Sequence, residues 1–333
     1  MKLLVLGGTG FVGPAVLGEA HARGHRITVL NRGHQPAPAG TTALTGDRST
    51  PEGLTALAGG TWDAVIDTWS GRPTAVRDAA RALSGHAGHY TYVSSRSVYA
   101  DGAPAPLTEH APVVDATPDS TDDTDYARAK RGAELAAEQN FTGTVLHARA
   151  GLILGPHENI GRLPWWLTRL ARGGPTLAPG PRDLPLQYID VRDLATWLLD
   201  TAEQGRTGAY NVVSPPGHTT MGDLLDTANA VTGGHADLRW TDPQAILDAG
   251  IEPWTELPIW IAPGPDHAYL HDGDVTKARH AGLENRPVTE TVADTWTWLQ
   301  QIGGTAPQRP DRPTVGLDPA REAAFLAHAR STP

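Results

Sequence analysis

The chain has 333 residues, 39% hydrophobic and 19% charged, with 37 Gly, 28 Pro and a formal net charge of −10. This fits a turn-rich globular protein of one large domain or two packed ones, and the acidic balance argues against a nucleic-acid partner. Zero cysteines exclude disulfides, thiolate catalysis and Cys-ligated metals, and no apolar run nears the ~20 residues that span a bilayer.

The opening "MKLLVLGGTG" has the look of a signal peptide, but its apolar run is short and ends in glycines. It reads as a buried strand, and the cytoplasm is the expected compartment. The first 150 residues then alternate strand and helix, the pattern of a parallel sheet. "KLLVLG", "RITVLN", "TALTGD", "DAVID", "HYTYVSS" and "GTVLHARAG" read as strands. "FVGPAVLGEAHARG", "TPEGLTALAGG", "PTAVRDAARALSG" and "YARAKRGAELAAEQN" read as the helices between them. The fold class expected is α/β, a doubly wound parallel sheet of Rossmann type over residues 1–150. Residues 151–333 are expected to form a smaller, mixed part, with some elements returning to the sheet.

Between the first strand and helix sits "GGTGFVG", with Gly7, Gly10 and Gly13 three residues apart. Gly7 suits the tight turn, Gly10 lets the backbone approach a pyrophosphate, and Gly13 lets helix and strand pack closely. The helix start adds free amides and a positive dipole end. The cofactor loop therefore comprises Gly7, Thr9, Gly10, Phe11, Val12 and Gly13.

"YARAK" places Tyr126 and Lys130 four residues apart, hence on one helical face. With seven tyrosines and only Lys2, Lys130 and Lys277 in the chain, chance supplies such a pair about 0.06 times. The acidic "DSTDDTD" directly before it fits helix capping by Asp123, Thr124 or Asp125. Beyond residue 150 come proline-rich loops and most of the tryptophans. Trp197, Trp296 and Trp298 read as helix packing, while Trp165, Trp166, Trp254 and Trp260 sit near Pro and Gly, where loops can line a cleft. His157, Gln187 and Tyr188 are the polar candidates facing it, with Trp69, Arg96 and Trp165 completing the substrate set. "LDPAREAAFLAHAR" reads as a closing helix. The 14 histidines show no metal-ligand spacing.

"GGTGFVG", "YVSSRSVYA" and "YARAK" together resemble the extended short-chain dehydrogenases/reductases, a family that includes the NAD-dependent epimerases and dehydratases. The resemblance is firm over the first 150 residues and looser through "PLQYIDVRDLATWLL" to about residue 215, and the remainder resembles the family's variable substrate-binding part in position only. It implies that Tyr126 is the general acid/base and that Lys130 favours the phenolate and binds the nicotinamide ribose. It makes Ser95, four residues before Tyr99, the hydroxyl that polarises the substrate carbonyl, with Ser94 the near competitor and Ser97 the distant one. Family members that prefer NAD place an acid at the end of the second strand. Here Asn31 and Arg32 stand there, and an arginine fork suits the 2′-phosphate of NADP. His34 and Arg48 are expected to assist, and Asp47 matches the adenine-contacting acid.

Departures from the family pattern bear on the reaction. The dehydratases carry Asp and Glu after the Ser/Thr position, where this chain has Arg96 and Ser97. The nucleotide-sugar epimerases carry Asn where this chain has Leu152. The leading expectation is an NADPH-dependent ketoreductase-like oxidoreductase acting on a small carbonyl or hydroxyl compound, with NAD(H) as a possible cofactor. The alternatives are a sugar-nucleotide epimerase with retained cofactor and a non-catalytic dinucleotide-sensing relative. No nucleic-acid or membrane partner is expected, and a homodimer through the alanine-rich helices is.

Overall fold

The computed structural model describes residues 1–33, 38–50, 52–305, 308–310 and 312–329. The chain divides into two compact units. The first takes Met1–Gly151, Val191–Val213 and Asp274–Glu284, and the second takes Leu152–Asp190, Ser214–Gly273 and Asn285–Pro333.

The first unit is built on β1 (Lys2–Leu6), β2 (Arg26–Asn31), β3 (Thr42–Thr45), β4 (Trp62–Asp67), β5 (Ala87–Ser95) and β6 (Thr144–Ala150). The strand Gly208–Val212 returns beside β6, giving the order Gly208–Val212, β6, β5, β4, β1, β2, β3. Every neighbouring pair in this sheet runs parallel. Leu3 to Leu6 and Ala64 to Asp67 are buried without alternation, as strands covered on both faces must be. The order reverses between β1 and β4, and ligands of open α/β sheets bind in the crevice at the carboxyl ends of such strands.

One face is covered by α2 (Pro73–Leu83) and α3 (Tyr126–Asn140). Ala79, Ala80, Ala133, Ala136 and Ala137 share a buried cluster there with Val65, Val76, Tyr90 and Tyr92. Small side chains bring the two helices close: a Cβ at Gly132 would meet Pro73 at 2.6 Å. The other face carries α1 (Val12–Ala22) and the helix Val191–Glu203. Arg23, just beyond α1, donates to Asp200 on that helix at 2.7 Å.

The expected helix in "TPEGLTALAGG" is instead a 3-10 helix, Glu52–Leu57. A turn at Asp47, whose carbonyl accepts from the Thr50 amide at 3.0 Å, consumes the start of the connection. Gly59, at φ +81°, stops the helix on the other side, and 3-10 geometry serves a piece of six residues.

The second unit contains helices Arg162–Ala171, Met221–Val231, Val288–Gln301 and Pro319–Ala329 around one apolar core. Its strands form two-stranded pieces: Gly174–Pro179 with Ala236–Thr241, Leu152–Leu154 with Tyr188–Asp190, and Pro185–Leu186 with Thr219–Thr220. Two tryptophans expected near a cleft are core residues here. Trp166 and Trp260 are both 0% exposed, and their indole N–H groups donate to Pro258 O at 2.7 Å and Gly180 O at 3.0 Å. Satisfying the indole donor is what lets a whole Trp ring sit inside.

Candidate active site

The glycine loop lies between β1 and α1, at the strand-order reversal. Gly7 has φ +95°, and a Cβ there would lie 2.6 Å from Thr68 Oγ1, so both conformation and space demand glycine. A Cβ at Gly13 would strike the Gly8 carbonyl carbon at 2.5 Å, so α1 can seat on the turn only without one. Gly10 faces open space within 4 Å, leaving its backbone approachable. Thr9 and Gly10 are exposed, Phe11 and Val12 are half-buried, and α1 has no side-chain cap on its first amides. This is the anion-receptive end of a helix of eleven residues.

At the carboxyl end of β2, the Asn31 Oδ1 accepts from the Gly33 amide at 2.9 Å. Its amide nitrogen is buried with no hydrogen-bond partner among the described residues. Arg32 is exposed. Asp47 is also exposed, and its carboxyl is held below the usual range first by the Ser49 hydroxyl and amide, then by the nearby charges of Arg32 and Arg72. His34 lies outside the described residues. Arg48 departs from expectation: it is 6% exposed, and its guanidinium grips the Asp67 carboxylate through both terminal nitrogens. A buried arginine so engaged is not available to a 2′-phosphate. The open space at Gly10, the uncapped α1 and the buried Asn31 amide together fit a nicotinamide dinucleotide.

α3 begins at Tyr126, capped by Asp125, whose side chain accepts from the Arg128 amide at 3.0 Å. Tyr126 is half-buried, and one turn on, Lys130 is 4% exposed. The Lys130 ammonium donates to the carbonyls of Trp69 and Val93, both at 2.7 Å. It lies 4.8 Å from the Tyr92 ring centre and 6.0 Å from that of Tyr126. Ser95 ends β5, half-buried, with its Oγ accepting from the Ser97 amide at 3.1 Å and 3.1 Å from the Ser97 Oγ. Its neighbour Ser94 points into the core, 3% exposed, and donates to Glu134 at 2.7 Å. The side-chain alternation of a strand separates the two serines.

Glu134 is 0% exposed and sits one more turn along the face that carries Tyr126 and Lys130. Arg149 donates to both its oxygens, at 2.9 and 3.0 Å, and Arg131 donates at 2.9 Å. Burial alone would push this carboxyl up, but the hydrogen bond and charge of Arg149, the charge of His147 and the Ser94 hydroxyl hold it at about 2. The network continues through Arg149 to the Tyr99 hydroxyl at 3.3 Å, and from there to Asn211 at 2.6 Å. Arg96 is 4% exposed, in the 3-10 turn Arg96–Val98 that joins β5 to Tyr99.

Trp69, expected to touch substrate, has its indole N–H bonded to Arg72 O at 3.0 Å and its ring 5.1 Å from the Arg48 guanidinium. In the second unit, Gln187 corrects the expectation outright. It is 0% exposed, and its amide bonds Ser214 O at 2.8 Å, Gly273 O at 2.9 Å and the Gly273 N–H at 2.7 Å, so each side-chain polar atom is engaged internally. Tyr188 is 2% exposed and packs 5.8 Å from the His218 ring. Trp165 is half-buried, edge-on to Trp166 at 4.7 Å, and a Cβ at Gly316 would strike its Nε1 at 2.0 Å. His157 alone of this group is exposed, at φ +70°, with its ring 5.4 Å from that of Trp298.

Residues 3–213 match the model of the family described as the NAD dependent epimerase/dehydratase family. The chain belongs to that family. It is an enzyme of the extended short-chain dehydrogenase/reductase type, and the family works with a nicotinamide dinucleotide. No curated protein matches the chain. Among solved structures, the Bordetella bronchiseptica enzyme WbmG in complex with NAD and UDP is 19% identical, with a TM-score of 0.69 over 93% of this chain and 97% of that one. UDP-N-acetylglucosamine 4-epimerase from Bacillus cereus is 17% identical, with a TM-score of 0.67 over 95% and 99%. UDP-glucose 4-epimerase from Thermotoga maritima, with UDP-glucose, is 16% identical, with a TM-score of 0.67 over 91% and 99%. At these identities the likeness is one of fold.

In this family member, sequence reasoning missed the buried ion pairs that hold the site, Arg48 with Asp67 and Arg149 with Glu134. A signal for the second was present, since Glu134 follows Lys130 at the same four-residue spacing as Lys130 follows Tyr126. The first joins residues 19 apart and carries no local pattern. Among the described residues no cluster of metal-ligating side chains forms, and no helix is long and apolar enough to cross a membrane.

Proposed function

We propose that this enzyme is an NADP(H)-dependent oxidoreductase of ketoreductase type, interconverting a small carbonyl compound and its alcohol. The observation that carries the reading is the fixed Lys130 ammonium, 6.0 Å from the Tyr126 ring centre at the carboxyl edge of the sheet. The bound dinucleotide supplies or accepts the hydride. Tyr126 gives its phenolic proton to the substrate oxygen in reduction and takes it back in oxidation. Lys130, a cation held beside the phenol, favours the phenolate and so makes that exchange feasible near neutral pH. Ser95 donates to the same oxygen and orients it. Gly7, Gly10 and Gly13 with the start of α1 hold the pyrophosphate, Asn31 and Asp47 hold the adenosine, and Arg32 pairs with the 2′-phosphate.

Two sequence features favour this over the sugar-nucleotide reactions. Arg96 and Ser97 offer no carboxylate for a dehydratase, and Leu152 offers no amide for a diphosphate or sugar.

The second reading, an epimerase that keeps its cofactor, is favoured by the names of the fold neighbours. The purified protein's absorbance and extractable nucleotide separate the two. A reductase is expected to emerge largely free of dinucleotide and to consume NADPH against a panel of carbonyl compounds. Stoichiometric retained NAD, with no NADPH loss against the panel, would overturn the proposal in favour of the epimerase.

A further inference from the structure

Lys130 is held by two backbone carbonyls that differ in how they are themselves held. Val93 lies inside β5, paired in register with Ala148 of β6, so the sheet fixes its carbonyl. Trp69 lies two residues beyond the end of β4, outside the ladder. A different set of contacts fixes it. The Trp69 amide donates to Asp67 Oδ1 at 2.9 Å, and the Tyr92 hydroxyl donates to the Trp69 carbonyl at 3.0 Å. The Trp69 ring lies 5.1 Å from the Arg48 guanidinium.

Asp67 is the anchor of this set. It is 0% exposed and accepts from both terminal nitrogens of Arg48, from the Tyr90 hydroxyl and from the Trp69 amide. Arg48 also reaches the Ala75 carbonyl in α2 at 3.4 Å. A guanidinium gripping a carboxylate by two parallel bonds fixes angle as well as distance, which a single ammonium contact does not. The pair therefore sets the direction in which the Trp69 carbonyl points, and that carbonyl is one of the two on which the Lys130 ammonium rests.

We infer that Asp67 and Arg48 are positioning residues that aim the Lys130 ammonium at its working place through the carbonyl of Trp69. The inference rests on the proposed roles of Tyr126 and Lys130. A buried ion pair is weak evidence for stability alone, because apolar replacements of similar volume are often neutral or stabilising. Its geometry, not its energy, is the reason to expect a role.

The test uses the full chain free of substrate and reads the phenolate absorbance of Tyr126, as the difference between each protein and its own Tyr126→Phe counterpart across a pH titration. Lys130→Met is the reference, and its midpoint is expected to rise by about one unit or more with the cation gone. The double variant Arg48→Met with Asp67→Leu removes a neutral pair, so no net charge near Tyr126 changes. It is expected to raise the midpoint by a substantial part of the Lys130→Met shift and to weaken dinucleotide binding several-fold, with a cooperative melt retained. Should it fail to fold, Arg48→Lys, which keeps the charge and loses the fork, is expected to shift the midpoint in the same direction. A midpoint unchanged in these folded variants, while Lys130→Met moves it, overturns the inference and leaves the roles of Tyr126 and Lys130 standing. A midpoint unmoved by Lys130→Met overturns those roles and the inference with them.

Discussion

The Ser94 hydroxyl donates a 2.7 Å hydrogen bond to the buried carboxylate of Glu134, while the hydroxyl of the next residue, Ser95, is half-buried and bonded only within its own turn among the described contacts. Two adjacent serines are thereby given different duties. Ser94→Ala is expected to cost about 1.5–3 kcal/mol of stability, the range for a hydrogen bond to a charged group. Ser95→Ala is expected to melt like the parent and lose turnover. Chemical denaturation and kcat of both variants check this, and the reverse pattern would move the proposed carbonyl contact to Ser94.

Tyr126→Phe keeps the ring and removes the hydroxyl from a half-buried site. Turnover with whichever carbonyl substrate is found is expected to fall about 10²–10⁴-fold, the usual contribution of general acid catalysis. Melting and dinucleotide binding are expected to stay at parent values. Wild-type turnover with an unchanged melt would show that the phenol does no chemistry.

Arg32 is exposed at the end of β2, and Asn31 in place of an acid carries no charge to repel a 2′-phosphate. The parent is expected to bind NADPH more tightly than NADH. Arg32→Ala should weaken NADPH binding roughly ten-fold or more while leaving NADH almost unchanged, since only the former loses a charge-assisted contact. Fluorescence titration with both nucleotides measures this, and equal affinities in the parent dispose of it.

Two buried carboxyls make opposite predictions for stability against pH. Glu134, held at about 2 against a usual 4.5, contributes stability that is present above pH 4.5 and lost as pH falls toward 2. The deficit of Glu134→Gln should therefore shrink between pH 5 and pH 3. Glu158 is fully buried and pushed up to about 7 by that burial, against the opposing charge of Arg162 and the amides of Arg162, Leu163 and Gly161. Its contribution is present below pH 4.5 and lost as pH rises through 7. Glu158→Gln should gain on the parent from pH 5 to pH 8, by at most about 3 kcal/mol. Melting curves of both variants across this range give the two slopes.

The outward sides of α2 and α3 carry Arg81 and Arg128 exposed and Arg77 and Asp78 half-buried. The alanines expected to face a second copy, Ala79, Ala80, Ala133, Ala136 and Ala137, are instead buried in the sheet-facing cluster, so the homodimer that we propose for these helices must form through the charged side chains. Light scattering should then give twice the chain mass, falling when Arg128 and Arg81 are replaced by glutamate. A particle of single-chain mass at high concentration contradicts the dimer.

The strands and helices of residues 1–150 were legible because apolar runs, alternation with helices and the glycine loop all pointed the same way, and α3 spans the residues its sequence marked out. The "TPEGLTALAGG" helix was not, because the Asp47 turn before it and the positive-φ Gly59 after it confine it to six residues, which take 3-10 geometry. Tyr126 beside Lys130 was legible because helical spacing is local. The roles of the other polar residues were not, because they depend on partners distant in sequence. Arg48 reads as a loop cation until Asp67, at the carboxyl end of β4, claims it. Gln187 reads as a polar residue for a ligand until the backbone at 214 and 273 surrounds its amide. Trp166 and Trp260 read as loop aromatics until carbonyls at 258 and 180 satisfy their indoles. The sequence by itself determined the parallel sheet, the glycine loop and the Tyr126–Lys130 spacing, since these follow from contacts within a few residues. Only the tertiary structure decided which charges and aromatic rings remain available to a ligand, because a buried polar group must find a partner and that partner is chosen by the fold.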